Sequence, residues 1–301
     1  MEKYTSTEEV YWMSFEIVTD TGANLPDEVI EENNLLVLSL SFFVDGEEYY
    51  SYEPGKTTDL GKFYAMMREQ KEIRTSLVNT EDAKKKIEVL LKEGKDLLYI
   101  GFSSGLSGTY QSVSIALDEL REEYPERKIL CVDTLAAALG QGLLVHFAIE
   151  QRKEGKTIEE VCEWILANRL KVSHWFTVDD LFFLKRGGRI SATTAVVGTA
   201  LKIKPVLHVD DEGHLVNMEK ARGRRKSLDM LIKHFEETAI EPGKYPVYIS
   251  HGDCLEDAEY VAAKLKEKCG VKEVLVHMLE PVIGAHAGPG TVALFFLGEH
   301  R

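Results

Sequence analysis

The 301-residue chain is 44% hydrophobic and 29% charged, the balance of a soluble globular protein with room for about two domains. Its net charge of −14 repels phosphate backbones and argues against nucleic acid as the main partner. No apolar run approaches the roughly 20 residues of a membrane span, the acidic start lacks a signal-peptide layout, and four scattered cysteines without a CxxC pair suit a reducing cytoplasm.

Residues 1–13 read as a weakly ordered extension. Phe15 to Thr19 is a short buried strand, left through the turn Asp20-Thr21-Gly22, and a helix from Pro26 runs to about Asn33. An apolar run, Leu35 to Val44, meets the hairpin signal Asp45-Gly46. Helices are expected near 58–68 and 81–93, a strand at Leu97–Ile100, a helix from about Thr109 to Glu123, a strand at Ile129–Val132, and helices near 135–154 and 158–169. This alternation predicts an α/β domain over 14–170 with a mostly parallel sheet between helices.

The remainder, 171–301, reads as a mixed α+β domain. It has a strand at 172–177, a helix near 179–186, Gly187-Gly188-Arg189, and an apolar helix at 191–201. A hairpin follows around Asp211-Glu212-Gly213, then a helix at 224–238, a strand at 246–251, a helix at 255–268, and strands near 273–279 and 291–297.

The stretch from Gly101 to Gln111 carries the most chemistry. It leaves a strand and opens a helix, where unpaired N–H groups and partial positive charge suit a carboxylate or phosphate. Glycines let the backbone approach an anion, and the hydroxyls of Ser103, Ser104, Ser107 and Thr109 add donors without fixed charge. Helix capping by Ser107 or Thr109 explains one hydroxyl, not four. Gly101 to Gly105 also spells G-x-S-x-G, which supplies an alternative: a serine hydrolase or acyltransferase with Ser103 as nucleophile. Gly105 and Gly108 postpone the helix, so this loop is looser than a nucleophile elbow. There is no GxxxxGK[ST] for ATP and no HExxH or close histidine pair for a metal. Asp133 reads as a turn or cap residue and His251 as structural. The basic run Arg222-Gly223-Arg224-Arg225-Lys226 is either a solvated helix start or a surface for a partner.

At this loop the sequence resembles the DegV family. The likeness begins with Val18-Thr19-Asp20-Thr21 and Arg74-Thr75-Ser76, and Ser103 to Gln111 is nearly the family's SSGLSGTYQ motif. It continues through Val132-Asp133-Thr134, Gly140 to Gly142, Asp180-Leu181, Leu184 to Ile190, Lys204-Pro205 and Arg222, and closes on Ile283 to Thr291. One departure is Leu77-Val78-Asn79 where the family has Gln-Pro-Ser. The resemblance implies two α/β domains enclosing one fatty acid, whose carboxylate is presented to a separate ATP-dependent fatty acid kinase. It implies that Thr75 and Ser104 bind the carboxylate with Ser76, Ser103 and Gly105 nearby, that His286 and Arg189 organise the head-group region, and that Arg222 faces the kinase. No catalysis by the chain alone, no cofactor or metal, and at most transient membrane contact are implied. Phe182, Phe183, Val196, Val197, Leu201 and Ile203 are candidates for lining the tail, each equally suited to ordinary core. Another anionic ligand, such as a phosphate ester or isoprenoid, is the remaining alternative.

Overall fold

The computed structural model describes residues 15–56, 58–191 and 203–301. The amino-terminal extension and the helix expected at 191–201, apart from Ser191, lie outside the described residues. A four-stranded parallel sheet forms the first half from β1 (Phe15–Asp20), β2 (Leu36–Leu38), β6 (Asp96–Gly101) and β7 (Ile129–Asp133), in the order β2-β1-β6-β7. These strands are apolar runs rather than alternating ones because both faces are covered. Helices α3 (Thr80–Lys92) and α4 (Thr109–Glu123) pair on the sheet, as do α5 (Leu139–Lys153) and α6 (Ile158–Asn168).

A small antiparallel sheet sits beside it, in the order β4-β3-β5: β3 (Ser41–Val44), β4 (Glu47–Tyr50) and β5 (Ile73–Ser76). Asp45 and Gly46 make the two-residue turn between β3 and β4 with φ of 51° and 91°, the positive values a type I′ hairpin requires. Two short helices, α1 (Asp27–Glu32) and α2 (Leu60–Arg68), complete this half.

The second sheet is mixed and six-stranded: β8 (Val172–Thr177), β9 (Ile203–Val209), β10 (Leu215–Arg222), β11 (Val247–His251), β12 (Val274–Met278) and β13 (Val292–Leu297), in the order β10-β9-β8-β13-β11-β12. The parallel pair is β11–β12, and the other neighbours are antiparallel. Period-two alternation sorts its faces. Trp175, Val292, Leu294 and Phe296 pack under α8 (Arg224–Thr238) and α9 (Leu255–Cys269). Phe176, Ala293, Phe295 and Leu297 face the other way and join the core of the first half. Helix α5 carries this junction: it packs against β1 and β6 of one sheet and against β8, β11 and β13 of the other, buried from Leu139 to Val145 and again from Phe147 to Ile149. A helix apolar on all sides is a helix enclosed on all sides.

Two further helices, α7 (Phe182–Arg186) and α10 (Pro281–Ala287), lie beside one another. The sequence pattern does not single out α10, although Glu280 and Pro281 are a helix-start signature. The Glu280 carboxylate accepts from Val282 N at 2.8 Å and Ile283 N at 2.6 Å, and Pro281 fills the first helical turn. Among the described residues no helix is long and apolar enough to cross a membrane.

Candidate functional site

Ahead of the amino end of α5, a cavity of about 240 Å³ opens in the layer between the two sheets. Its floor is the inner face of the second sheet, with His174, Phe176, Ala293 and Phe295. Phe102, Leu106, Ala137 and Ala138 come from the loops that leave β6 and β7, at the carboxyl edge of the parallel sheet. Open α/β sheets place ligands at that edge. Leu40, Leu279, Val282 and Ile283 cover the other side, and Val209 and Leu215 flank the β9–β10 turn. The lining is predominantly apolar. Its polar groups are Thr75, Ser76, Ser107, Arg189 and His286, with His174 and Thr291 on the wall.

Five of these residues come from four elements that the chain brings together over more than 200 residues. Thr75 and Ser76 end β5, Ser107 precedes α4, Arg189 follows α7, and His286 stands in the last turn of α10. Thr75 Oγ1 and His286 Nε2 are hydrogen-bonded at 2.8 Å. Burial, reinforced by the guanidinium charges of Arg189 and Arg186, pushes the His286 imidazole down to about 4, so it is neutral near pH 7. In the tautomer with hydrogen on Nε2, the imidazole donates to Thr75 Oγ1 and frees the threonine O–H to donate to an anion. Arg189 donates through Nε to the Leu106 carbonyl at 3.1 Å and through Nη1 to the Gly187 carbonyl, which fixes a positive charge at this end. Gly187 makes the approach possible, because a Cβ there would collide with Nδ1 of His286. The three lining residues most open to solvent, Ser76, Leu77 and Gly108, are also here, so the polar end is the rim.

The Ser/Gly loop divides its work differently from the expectation. Ser107 and Gly108 line the cavity, and Ser107 Oγ also accepts from Thr109 N at 3.2 Å, so one hydroxyl both holds the first amide of α4 and borders the ligand space, while Gly108 occupies the N-cap position. Ser103, Ser104 and Gly105 are not among the lining residues. Ser103 is fully buried and donates to the Gly213 carbonyl at 3.0 Å, while Gly105 N donates back to Ser103 Oγ at 3.2 Å. The β9–β10 turn therefore claims this serine, and among the described residues no histidine is hydrogen-bonded to it as a nucleophile's base would be. The Ser104 side chain is exposed and its amide is held by Asp133 Oδ1 at 3.2 Å. Asp133 also accepts from Leu135 N, the turn role expected of it, and His251 Nδ1 accepts from Cys254 N.

Of the tail-lining candidates, Phe182 is exposed, and Phe183 and Ile203 do not reach the cavity; Val196, Val197 and Leu201 lie outside the described residues. The aromatic residues that line the cavity are Phe102, in the loop after β6, and Phe176 and Phe295, the two that strand alternation in 172–177 and 292–297 could have singled out. In the basic run, Arg224 is bonded to Asp257 at 2.7 Å and Arg225 lies 3.5 Å over the Tyr260 ring, whereas Arg222 ends β10 exposed to solvent. Among the described residues no group of three or more His, Cys, Asp or Glu side chains is placed to hold a metal ion.

A second cavity of about 250 Å³ lies on the far side of α10 and is polar, bordered by Asp20, Asn24, Ser51, His277 and Glu280. Asp20 is buried and saturated by Tyr99, Phe102 N, Gln141 and Gly22 N, and burial raises its carboxyl above the usual range. Burial likewise raises Glu280 to about 7.

The family model described as an uncharacterised protein of the DegV family matches residues 14–299. A DegV domain-containing protein of Clostridium perfringens is 45% identical over 287 residues, covering 95% of this chain and 98% of its own. Among solved structures, a DegV family protein from Thermus thermophilus, described for its fatty acid binding, superposes with a TM-score of 0.85 at 31% identity, over 95% of this chain and 100% of the other. The fatty acid binding DegV family protein of Streptococcus agalactiae gives 0.82 at 30% identity, over 96% and 100%. With the parallel sheet, the mixed sheet and nearly the full length all held in common, this chain belongs to the DegV family.

Proposed function

We propose that the protein holds one long-chain fatty acid in the apolar cavity and offers its carboxylate at the rim to a separate ATP-dependent kinase that forms the acyl phosphate. The observation that carries this reading is the Thr75–His286 pair, a hydroxyl backed by a neutral imidazole at the polar end that the described residues give an apolar cavity. Thr75, Ser76 and Ser107 donate to the carboxylate, Arg189 balances its charge, and His286 aligns Thr75. A carboxylate left without such partners in an apolar cavity costs several kcal/mol. Burying a 16-carbon tail at ~0.8 kcal/mol per CH₂ returns roughly 12 kcal/mol before ordering costs, enough for the lipid to persist through purification. The fatty acid binding described for relatives at 30–31% identity supports the ligand class.

The kinase partner rests on the family resemblance and on the position of the rim, where exposed Ser76 and Gly108 border the side from which a phosphoryl group would approach the carboxylate. Exposed Arg222 is assigned to the partner-facing surface. The chain acts without catalysis of its own, as a cytoplasmic bacterial carrier. The reading is tested by mass spectrometry of lipid extracted from the denatured protein: a stoichiometric long-chain fatty acid is expected, and a phosphate ester, an isoprenoid or no lipid after reloading would overturn it. The partner role is tested by kinase assays with loaded protein, in which Arg222→Glu should slow acyl-phosphate formation without lowering lipid occupancy.

A further inference from the structure

Leu77 is an apolar residue in a polar place. It follows Ser76 at the end of β5, lines the lipid cavity at its head-group end, and is 43% exposed. The side chain reaches across the rim: its Cδ2 stands 3.2 Å from where a Cβ on Gly108 would lie, so it leans against the start of α4. Leu77 thus spans the gap between the two halves of the proposed carboxylate cluster, Thr75 and Ser76 on one strand and Ser107 and Gly108 on one helix start. On its other side is a further, polar pocket of about 200 Å³, a groove bordered by Glu48, Tyr50, Asn79, Asp82 and Lys86. The cavity and the groove share two residues, Ser76 and Leu77. A side chain that forms the wall between a ligand cavity and an outer groove can turn from one into the other by a single rotamer change.

We propose that Leu77 is the gate of the lipid cavity, closing the head-group end when it leans on Gly108 and opening it when it turns into the groove. This deepens the fatty-acid reading and rests on it. In the closed position the isobutyl group keeps water off the hydrogen bonds to the carboxylate. In the open position the groove receives the side chain, and the carboxylate is exposed to exchange or to a partner. Val78 and Asn79 anchor the segment behind the gate, since the Val78 carbonyl accepts from Ser112 Oγ at 2.7 Å and Asn79 caps α3 through Asp82 N at 3.1 Å. The backbone stays in place while Leu77 moves.

The test is the release rate of cis-parinaric acid from wild type, Leu77→Ala and Leu77→Trp, with thermal melts as a check on folding. About half of a leucine's apolar surface shields the head group, which sets the expected acceleration in Leu77→Ala at about tenfold. Leu77→Trp, which spans the gap more fully, should release more slowly than wild type. A side chain needed merely for folding would not move the rate in opposite directions. Equal rates in all three proteins, or a change of the same sign in both variants, would overturn the gate. The same measurements with 1-anilinonaphthalene-8-sulfonate, an apolar anion indifferent to the natural ligand, separate the two readings. Protein that holds the dye but refuses parinaric acid sinks the lipid assignment and leaves the gate to be judged on the dye. Protein that holds neither has no cavity for a gate to close.

Discussion

Thr75→Val removes one hydroxyl and keeps the shape of the side chain, so it isolates the head-group contact. A hydrogen bond to a charged group contributes about 1.5–3 kcal/mol, and at 1.4 kcal/mol per decade its loss weakens fatty acid binding roughly 10- to 150-fold. The unliganded protein loses only the bond to His286 Nε2. A neutral bond of that kind contributes about 1 kcal/mol, a shift of a few degrees in Tm. The assay is displacement of cis-parinaric acid by palmitate and, in parallel, by hexadecanol. The acid should lose affinity by the stated factor, while the alcohol, which brings no charge to the rim, should change by less than about threefold. Equal losses for acid and alcohol would place the effect in the shape of the cavity. Unchanged palmitate affinity would remove Thr75 from the carboxylate site.

Ala293→Phe places a ring on the cavity floor and should reduce lipid stoichiometry at least tenfold while costing no more than about 1–3 kcal/mol of stability, as read by extraction and calorimetry. Gly187→Ala should weaken palmitate binding by displacing His286. Gly188→Ala, at φ of 74° with open space around its Cβ, should cost about 1–2 kcal/mol of stability and leave affinity alone. The His286 imidazole, held at about 4 against an ordinary 6.5, contributes stability that is present above pH 6.5 and is lost as pH falls through 4, by up to about 3 kcal/mol. Glu280, raised from 4.5 to about 7, has the opposite sign: its contribution is present below pH 4.5 and is lost as pH rises through 7. In urea unfolding between pH 4 and 8, His286→Gln should therefore flatten the acid limb in part, the rest remaining with other buried histidines such as His174 and His208 that are shifted the same way, and Glu280→Gln should flatten the alkaline limb.

Much of the scaffold is legible in the sequence because its elements announce themselves locally. Helix Thr109–Glu123 and strand Val172–Thr177 fall at the bounds that periodicity suggests. The hairpin at Asp45-Gly46 has the only conformation its turn chemistry favours. Strand Ile73–Ser76 carries too little apolar character in four residues to stand out, and it forms because Phe42 and Phe43 pair with it. The site is legible in its residue types and less so in its arrangement. Nothing local in Ser103-Ser104-Gly105 reveals that the Glu212–Gly213 turn, 110 residues on, takes up the buried serine and leaves Ser107 to face the cavity. Likewise the partnership of Thr75 with His286 spans 211 residues, and the motif resemblance rather than periodicity is what pointed to both.

On the proposed lipid-carrier reading, helix α5 constrains how a ligand can enter and leave. Prying the sheets apart would uncover the side of α5 that parts from its sheet, a share of the buried run Leu139, Leu143, Leu144, Val145, Phe147 and Ile149. At about 1.5–3 kcal/mol for each large apolar side chain fully uncovered, that is a sizeable part of the folding free energy of a typical domain. Clamshell opening is therefore costly, and small movements at the margin are the easier route for traffic while the vault itself stays shut. It also follows that severing the chain at 170/171 yields two pieces with sticky, unfinished surfaces, and that the intact molecule should melt in a single cooperative step.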